Sequence, residues 1–248
     1  MKFYDFSTIF KIDIFRTMHK GVAKYLKNPY LVDIMDYFIK YVGSSAYHSP
    51  GFMNLMPTIQ FKYDLWYVPG GMYNIAIGFK KYMDELGITF HFNSEVSKIN
   101  TENGKVKSII ANNMEHSSDI IVSNMEGIPA YKKLLNEDEV FLNKLKKYEP
   151  ACSGIVLDIG LDIQYPQLAH HNFLYSKHQK EHFKTVFKKR LLPPDPTIYL
   201  VDSSKSDNTV APENCSGLKV LPHIPFINEE KPYTKEDYIR YKEVILDK

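Results

Sequence analysis

The 248-residue sequence is short of cysteine, of glycine and of net charge. Its 2 cysteines, Cys152 and Cys215, lack CxxC spacing, which excludes a disulfide framework and a cysteine-based zinc site and fits a reduced cytoplasmic setting. Glycine occurs 12 times, so few positions let backbone approach a phosphate closely. No P-loop, G-x-S-x-G elbow or G-x-G-x-x-G turn is present. With 31 basic against 29 acidic residues, the net charge of +2 offers no concentrated basic face for nucleic acid. The run from Lys184 to Arg190 reads as a solvated helix face. The opening MKFYDFSTIFKIDIFR carries charges where a signal peptide needs its apolar core, so secretion is not expected. Tyr41 to Phe61 lacks Asp, Glu, Lys and Arg, but Ser44, Ser45, His48, Pro50, Asn54, Pro57 and Gln60 argue against a membrane span.

What the chain has in surplus is aromatic: 18 Tyr and 15 Phe, within a 44% hydrophobic and 24% charged composition that is ordinary for a globular protein. At about 150 residues per domain, the length suits one large domain or two modest ones. Residues 1–60 read as helical. Ile12, Phe15, Met18, Val22, Tyr25 and Leu26 recur at three and four, and a second helix starts sharply with Asn28 as cap and Pro29 at its first position. After the Val68-Pro69-Gly70-Gly71 turn, a further helix through Met72, Ile75, Phe79 and Met83 stops at Gly87.

Alternation at Ile88, Phe90 and Phe92 predicts a strand, followed by strands over 95–100, 106–111 and 116–123 with a Glu102-Asn103-Gly104 turn. Short helices over 127–135 and 137–148 then lead to strands at 155–161, 172–175, 198–202 and 218–224. A last helix covers 235–247.

His178-Gln179-Lys180-Glu181-His182 fits the H-x-x-E-H zinc-peptidase pattern, with Glu243 as a third ligand by sequence distance alone. The segment also reads as an exposed polar helix, and that plainer reading is preferred, so no metal site is assigned. His170 and His171 point opposite ways if they lie on a strand, which makes them a poor metal pair. Gly70-Gly71 before a helix is compatible with anion binding but is an ordinary turn by itself. The aromatic residues from Tyr37 to Tyr67 suit either a core or the lining of a long apolar channel.

Several ordered motifs together resemble the phytoene desaturase family of flavin-dependent carotenoid oxidoreductases, most closely the branch acting on diapophytoene (dehydrosqualene). They are Tyr41-Val42-Gly43 with Ser49-Pro50-Gly51-Phe52 and Leu55-Met56-Pro57, then Val68-Pro69-Gly70-Gly71-Met72-Tyr73 and Asn93-Ser94-Glu95-Val96-Ser97-Lys98-Ile99. Asp119-Ile120-Ile121-Val122-Ser123-Asn124, Leu168-Ala169-His170-His171-Asn172, and Asp207 through Ala211-Pro212-Glu213 continue the order, with Asn214 where the family has Gly. The resemblance implies an α/β (α+β) fragment of an FAD-binding, amine-oxidase-like two-domain fold. In it, 1–68 would be a helical substrate-channel segment, 69–124 a segment of the FAD-binding domain and 125–248 a truncated substrate domain with a mixed or antiparallel sheet. The family's G-x-G-x-x-G segment and its C-terminal flavin segment are expected to lie outside this chain.

The resemblance further implies desaturation of a linear isoprenoid (phytoene or diapophytoene) in carotenoid biosynthesis. FAD would serve as cofactor of the complete protein, and the isolated fragment is not expected to bind it or to be active. Gly70, Gly71, Glu95, Val96, Ser123 and Asn124 would contact the cofactor, Val96 through its backbone at the adenine, while Tyr41, Phe52, Trp66 and Tyr67 would line the substrate channel. No catalytic residue is assigned: Asp13, Arg16 and Asp64 flank the aromatic segment, and surface exposure is the plainer reading of each. The alternatives are a carotenoid isomerase or oxygenase of the same family and a non-catalytic isoprenoid-binding module. The implied partners are a hydrophobic carotenoid substrate and a membrane surface touched peripherally from the cytoplasm; no nucleic acid is implied, and a homo-oligomer is left open.

Overall fold

In the computed structural model, which describes residues 12–228 and 230–248, side-chain caps set the first helices. Thr17 Oγ1 accepts the Lys20 N–H at the start of α1 (Met18–Tyr25). Asn28 Oδ1 accepts the Tyr30 N–H at 2.9 Å, with Pro29 opening α2 (Pro29–Tyr37), as the sequence predicts. The helical stripe itself begins at Met18, whereas Ile12 and Phe15 precede the helix and are exposed. The helical reading of residues 1–11 lies outside the described residues. A 3₁₀ turn over Phe38–Val42 ends at Gly43, whose φ is +65° and where a Cβ would fall 2.6 Å from the Ala151 Cβ, so both conformation and space require glycine. After a second 3₁₀ turn, Gly51–Asn54, come α3 (Leu55–Tyr63) and α4 (Tyr73–Glu85), the latter ended by Gly87 at φ +73°.

The chain divides into two compact units, Met1–Ile77 with Ala151–Lys248, and Gly78–Pro150. These cuts follow packing, whereas the 68/69 and 124/125 boundaries drawn from the sequence follow motifs. In the second unit, β1 (Val96–Glu102), β2 (Lys105–Ala111) and β3 (Met114–Ser117) form an antiparallel meander. Helices α5 (Gly127–Lys133) and α6 (Glu139–Leu145) follow, with Ala130 buried on α5 and Ile99 buried on β1.

Two strand expectations fail here. Residues 88–92 make no ladder: their alternation is spent on a stack of Phe90 on Phe92 at 5.6 Å, between left-handed residues Gly87 and Asn93. The third strand stops at Ser117 instead of running to Ser123, leaving Ile120 and Val122 exposed, since no further strand pairs with them among the described residues.

In the first unit, β4 (Ser153–Gly154) and β5 (Leu157–Leu161) pair in turn with one edge of β8 (Ser216–Ile224). Its other edge takes β7 (Ile198–Asp202), which takes β6 (His171–Leu174). Every pairing among the described residues is antiparallel, so the α+β form of the expected fold is the one observed and the mixed sheet is not. Period-two alternation then separates the faces. Ile198, Val220 and Ile224 turn to one side and bury against Tyr241 and Ile245 of α8 (Lys235–Leu246), which a Thr234/Asp237 capping box begins. Phe173, Tyr199 and His223 turn to the other, where Tyr37 of α2 packs against all three rings.

A second core joins Met18, Ile39, Ala46 and Phe183. Phe183 ends α7 (Gln179–Phe183), which runs into a π turn, Lys184–Lys189. This segment is therefore not the exposed polar helix its charges predict: Lys184, Lys188 and Lys189 are solvated, but Gln179, His182, Phe183, Thr185 and Val186 are buried. Phe183→Ala, at 2% exposure, is expected to cost about 3–5 kcal/mol, seen as a lower urea midpoint; a loss under about 1 kcal/mol would mean the helices do not depend on this ring.

Candidate functional site

One charged residue is buried between the helices and the π-turn segment of the first unit. Lys40 is 4% exposed, and its Nζ lies 3.0 Å from His182 Nε2, 4.8 Å from the Tyr37 ring centroid and 5.2 Å from that of Phe183. Burial pulls the Lys40 amine down to about 7 and holds the His182 imidazole far below its usual value, with the Lys40 charge adding to the second effect. Because Nζ donates, Nε2 accepts and the imidazole proton sits on Nδ1, which is buried without a hydrogen-bond partner. His223 Nδ1 and the Tyr37 hydroxyl are buried and unpartnered as well. Nearby, Asp36 is 1% exposed and its Oδ2 lies 2.6 Å from His19 Nδ1, under the Tyr47 ring; burial raises its carboxyl to about 6 against the pull of His19.

The sheet face opposite α8 carries an aromatic strip. His171, Tyr199, Phe173 and Tyr175 follow one another with ring centroids 5.9, 5.0 and 6.0 Å apart and planes within 28° of parallel. Register explains it: Phe173 pairs with Tyr199, and His171 and Tyr175 stand two residues to either side. At the His171 end the strip becomes polar. His171 Nδ1 meets the Tyr199 hydroxyl at 2.7 Å, and His170 Nδ1 meets the Ser206 hydroxyl at 2.7 Å. The two imidazoles are 4.3 Å apart, which corrects the expectation that they point opposite ways: His170 precedes β6 and is not held by its pleat. Tyr67 sets its ring against His170 at 5.2 Å and donates to Asp207 Oδ2.

A second concave feature lies among the helices. It is a cleft of about 670 Å³ bordered by Val22, Tyr25, Met35, Pro57, Phe61 and Asp13. Asp13 pairs with Arg16 at 2.8 Å, and it approaches Gly51 so closely that a Cβ there would fall 2.6 Å from the Asp13 carbonyl oxygen. Asp13 is thus drawn to the cleft, whereas Arg16 and Asp64 are exposed. Of the four residues expected to line a channel, none borders this cleft. Tyr41, Phe52 and Trp66 are exposed on the helical segment, and Tyr67 reaches the polar end of the strip. Tyr37 was expected among the aromatic residues suited to a core or a channel, whereas Lys40, Phe173, Tyr199 and His223 were not anticipated; the Phe173/Tyr175 alternation opposite Tyr199 is the signal that could have marked the strip.

The H-x-x-E-H residues do not converge. His178 is exposed, Glu181 pairs with Lys184 and Lys189, and His182 turns inward to Lys40, while Glu243 pairs with Lys242.

The residues expected to contact a flavin are distributed over both units. The Gly70 N–H donates to Asp207 Oδ2 at 2.6 Å and the Gly71 N–H to the Val68 carbonyl at 2.9 Å, so neither donor is left for a phosphate. Asp207, which also accepts from Thr209, is held ionised, with its carboxyl pulled down to about 2 by these hydrogen bonds. Val96 begins β1 opposite Ala111, Glu95 and Asn124 are exposed, and Ser123 Oγ accepts the Met125 N–H beside an apolar cleft of about 260 Å³. Gly70 and Gly71 thus have no N–H free for a phosphate, the group that the resemblance assigns to the G-x-G-x-x-G segment.

Two crystal structures share the fold of this chain at 16% identity. One is an oxidoreductase from Methanosarcina mazei (TM-score 0.61, 97% of this chain and 52% of that one), the other a Pyrococcus furiosus protein (TM-score 0.63, 94% and 54%). No family model matches the chain. Among curated proteins, it is similar to 4,4'-diapolycopene oxygenase of Methylomonas sp., 48% identical over 250 residues covering 100% of this chain and 50% of that protein. It is likewise similar to 4,4'-diaponeurosporene oxygenase of Staphylococcus aureus, 42% identical over 244 residues, 98% and 49% of the two. The chain spans about half the length of the curated relatives it matches.

The buried imidazoles give stability a definite pH dependence. His182 and His223, the latter held down to about 3, stay neutral in the folded state, while unfolded imidazoles take up protons near 6.5. The unfolded state therefore binds more protons as pH falls below about 6.5, and each histidine removes up to about 1.4 kcal/mol of stability per pH unit there. Asp36, raised from 3.8 to about 6, and Asp33, also raised by burial, act with the opposite sign, but three histidines held down in the fold, His182, His223 and His171, outnumber them. A net fall in urea midpoint from pH 6.5 toward pH 4.5 is expected, flattened in His223→Leu; a midpoint constant over that window would contradict the burial of these rings.

Proposed function

We propose that this chain is part of a carotenoid-modifying oxidoreductase acting on a linear isoprenoid polyene. The observation that carries the reading is the similarity, along essentially its whole length, to two proteins named as oxygenases of such polyenes. The structure supports it on physical grounds. A hydrocarbon chain offers no hydrogen-bonding handle and must be held by shape and apolar contact, and the first unit supplies an apolar cleft among the helices and an aromatic strip on the sheet.

Among the reactions open to this class, oxygenation takes precedence over desaturation and isomerisation, because both relatives are named for it. FAD is the proposed cofactor of the whole protein, on the strength of the motif resemblance. Its phosphate cradle would be formed by residues other than Gly70 and Gly71, whose donors are already used. When bound, it would supply the redox chemistry; the residues described here would hold and orient the polyene and exclude water.

The test is incubation of the full-length protein with diapolycopene and, separately, with phytoene, followed by mass spectrometry and absorbance. Added oxygen in the diapolycopene product supports the reading. Loss of hydrogen with a red-shifted spectrum would make it a desaturase, and unchanged polyenes with every electron acceptor tried would overturn an enzymatic role.

Substrates of this kind reside in bilayers, so peripheral membrane contact is part of the proposal. No helix among the described residues is long and apolar enough to cross a membrane, and Phe61, Tyr63, Leu65 and Trp66 are large apolar side chains exposed together, interspersed with Lys62 and Asp64. Flotation with liposomes should carry the wild-type protein upward and Trp66→Ser less so; equal recovery in the soluble fraction for both would remove these side chains as the contact.

A further inference from the structure

We propose that the His170–His171–Tyr199 cluster binds the oxygenated terminus, a carbonyl or hydroxyl oxygen, of a linear polyene whose chain lies along the Tyr199, Phe173 and Tyr175 rings. The inference rests on the reading of the protein as a carotenoid-modifying oxidoreductase and adds to it a place for the end group.

Shape comes first. His171, Phe173 and Tyr175 follow one another along β6 and just past its end, with Tyr199 beside Phe173 on β7, centroids 5.0–6.0 Å apart and planes near parallel, an elongated aromatic surface suited to an extended conjugated chain. It is reachable where His171 is exposed and Phe173 is 40% exposed, while Tyr37 covers one side of the strip, packed against Phe173, Tyr175 and Tyr199.

Polarity comes second, and it is confined to one end. The Tyr199 phenol is pushed up to about 12 by burial and keeps its proton, while burial and the neighbouring His170 keep His171 neutral. A protonated phenol beside a neutral imidazole donates to it, so Tyr199 occupies Nδ1 and the single ring proton of His171 sits on Nε2. In His170, Nδ1 is likewise engaged, by the Ser206 hydroxyl. Neither Nε2 has a hydrogen-bond partner among the described residues. Two imidazoles with ring centroids 4.3 Å apart, each with its Nδ1 held, form the kind of fixed, pre-oriented pair that a carbonyl or hydroxyl oxygen can use.

The surroundings exclude other end groups. A bare hydrocarbon terminus would leave these polar atoms desolvated and unpaired. A carboxylate terminus would approach Asp207, which is ionised, anchored by the Gly70 and Thr209 donors, and bridged to His170 through Tyr67. An uncharged oxygen is what remains.

The experiment uses the full-length protein and three polyenes of equal length, ending in hydrocarbon, aldehyde and carboxylate. Binding is read from the polyene absorption band, and the carbonyl stretch of the bound aldehyde from Raman spectra. Wild type is expected to bind the aldehyde more tightly than the other two. His171→Phe, which keeps a ring and removes the donor, should weaken aldehyde binding about tenfold, leave hydrocarbon binding within about twofold, and raise the carbonyl stretching frequency. Tyr199→Phe, which frees the His171 tautomer without removing an aromatic ring, should show the same selective loss to a smaller degree and stands in if His171→Phe fails to fold. Equal weakening for aldehyde and hydrocarbon, or no weakening for either, overturns the end-group site while leaving the functional reading intact. Wild type that binds none of the three overturns the functional reading itself.

Discussion

The buried Lys40 amine is the constraint around which the first unit is arranged. It reaches from the 3₁₀ turn after α2 to His182 on α7, and it lies over the Tyr37 and Phe183 rings. An ammonium without a carboxylate partner is expensive in such a place, and two responses are visible: its proton affinity is lowered, and aromatic faces supply part of the lost solvation. Its position then fixes others. Tyr37, beneath the amine, is the ring that covers one side of the aromatic strip, and Phe183, on the amine's other side, belongs to the core with Met18 and Ile39. One side chain thus sets both the helical core and one side of the candidate site.

The local skeleton was legible because it is written in neighbouring residues. Asn28-Pro29 announces a helix start, Gly87 a helix end, and the alternation of Ile155, Leu157, Ile159 and Leu161 places β5 to within a few residues. The same alternation misled at Ile88–Phe92, since periodicity shows that two faces differ but not that an edge is available to pair with. The apolar run through Ile120 and Val122 failed as a strand for the same reason.

The site was mostly illegible for a different reason. His182 meets Lys40 across 142 positions of sequence, and nothing local distinguishes this lysine from the solvated ones. The H-x-x-E-H spacing drew attention to His182 for a chemistry it does not take part in. Its burial was hidden by lysines that all face solvent, while Phe183 and Val186 face inward. His170 and His171 were dismissed through a strand rule that applies to only one of them.

The glycine turn illustrates how a motif can be right in place and different in physical meaning. A Gly-Gly pair before a helix suggests an anion, and an anion is present: it is the chain's own Asp207 carboxylate, taking the Gly70 N–H. That choice has structural consequences. Asp207 ties the 67–70 loop to the 207–209 loop, and through the same oxygen it holds the Tyr67 hydroxyl. Tyr67 in turn is pressed against His170, His170 against His171, and His171 is hydrogen-bonded to Tyr199 on the aromatic strip. The turn is the first link in a series of contacts that orders the polar end of an apolar surface. Gly70 joins Thr209 and Tyr67 in satisfying the Asp207 carboxylate, while Gly71 closes the turn onto the Val68 carbonyl.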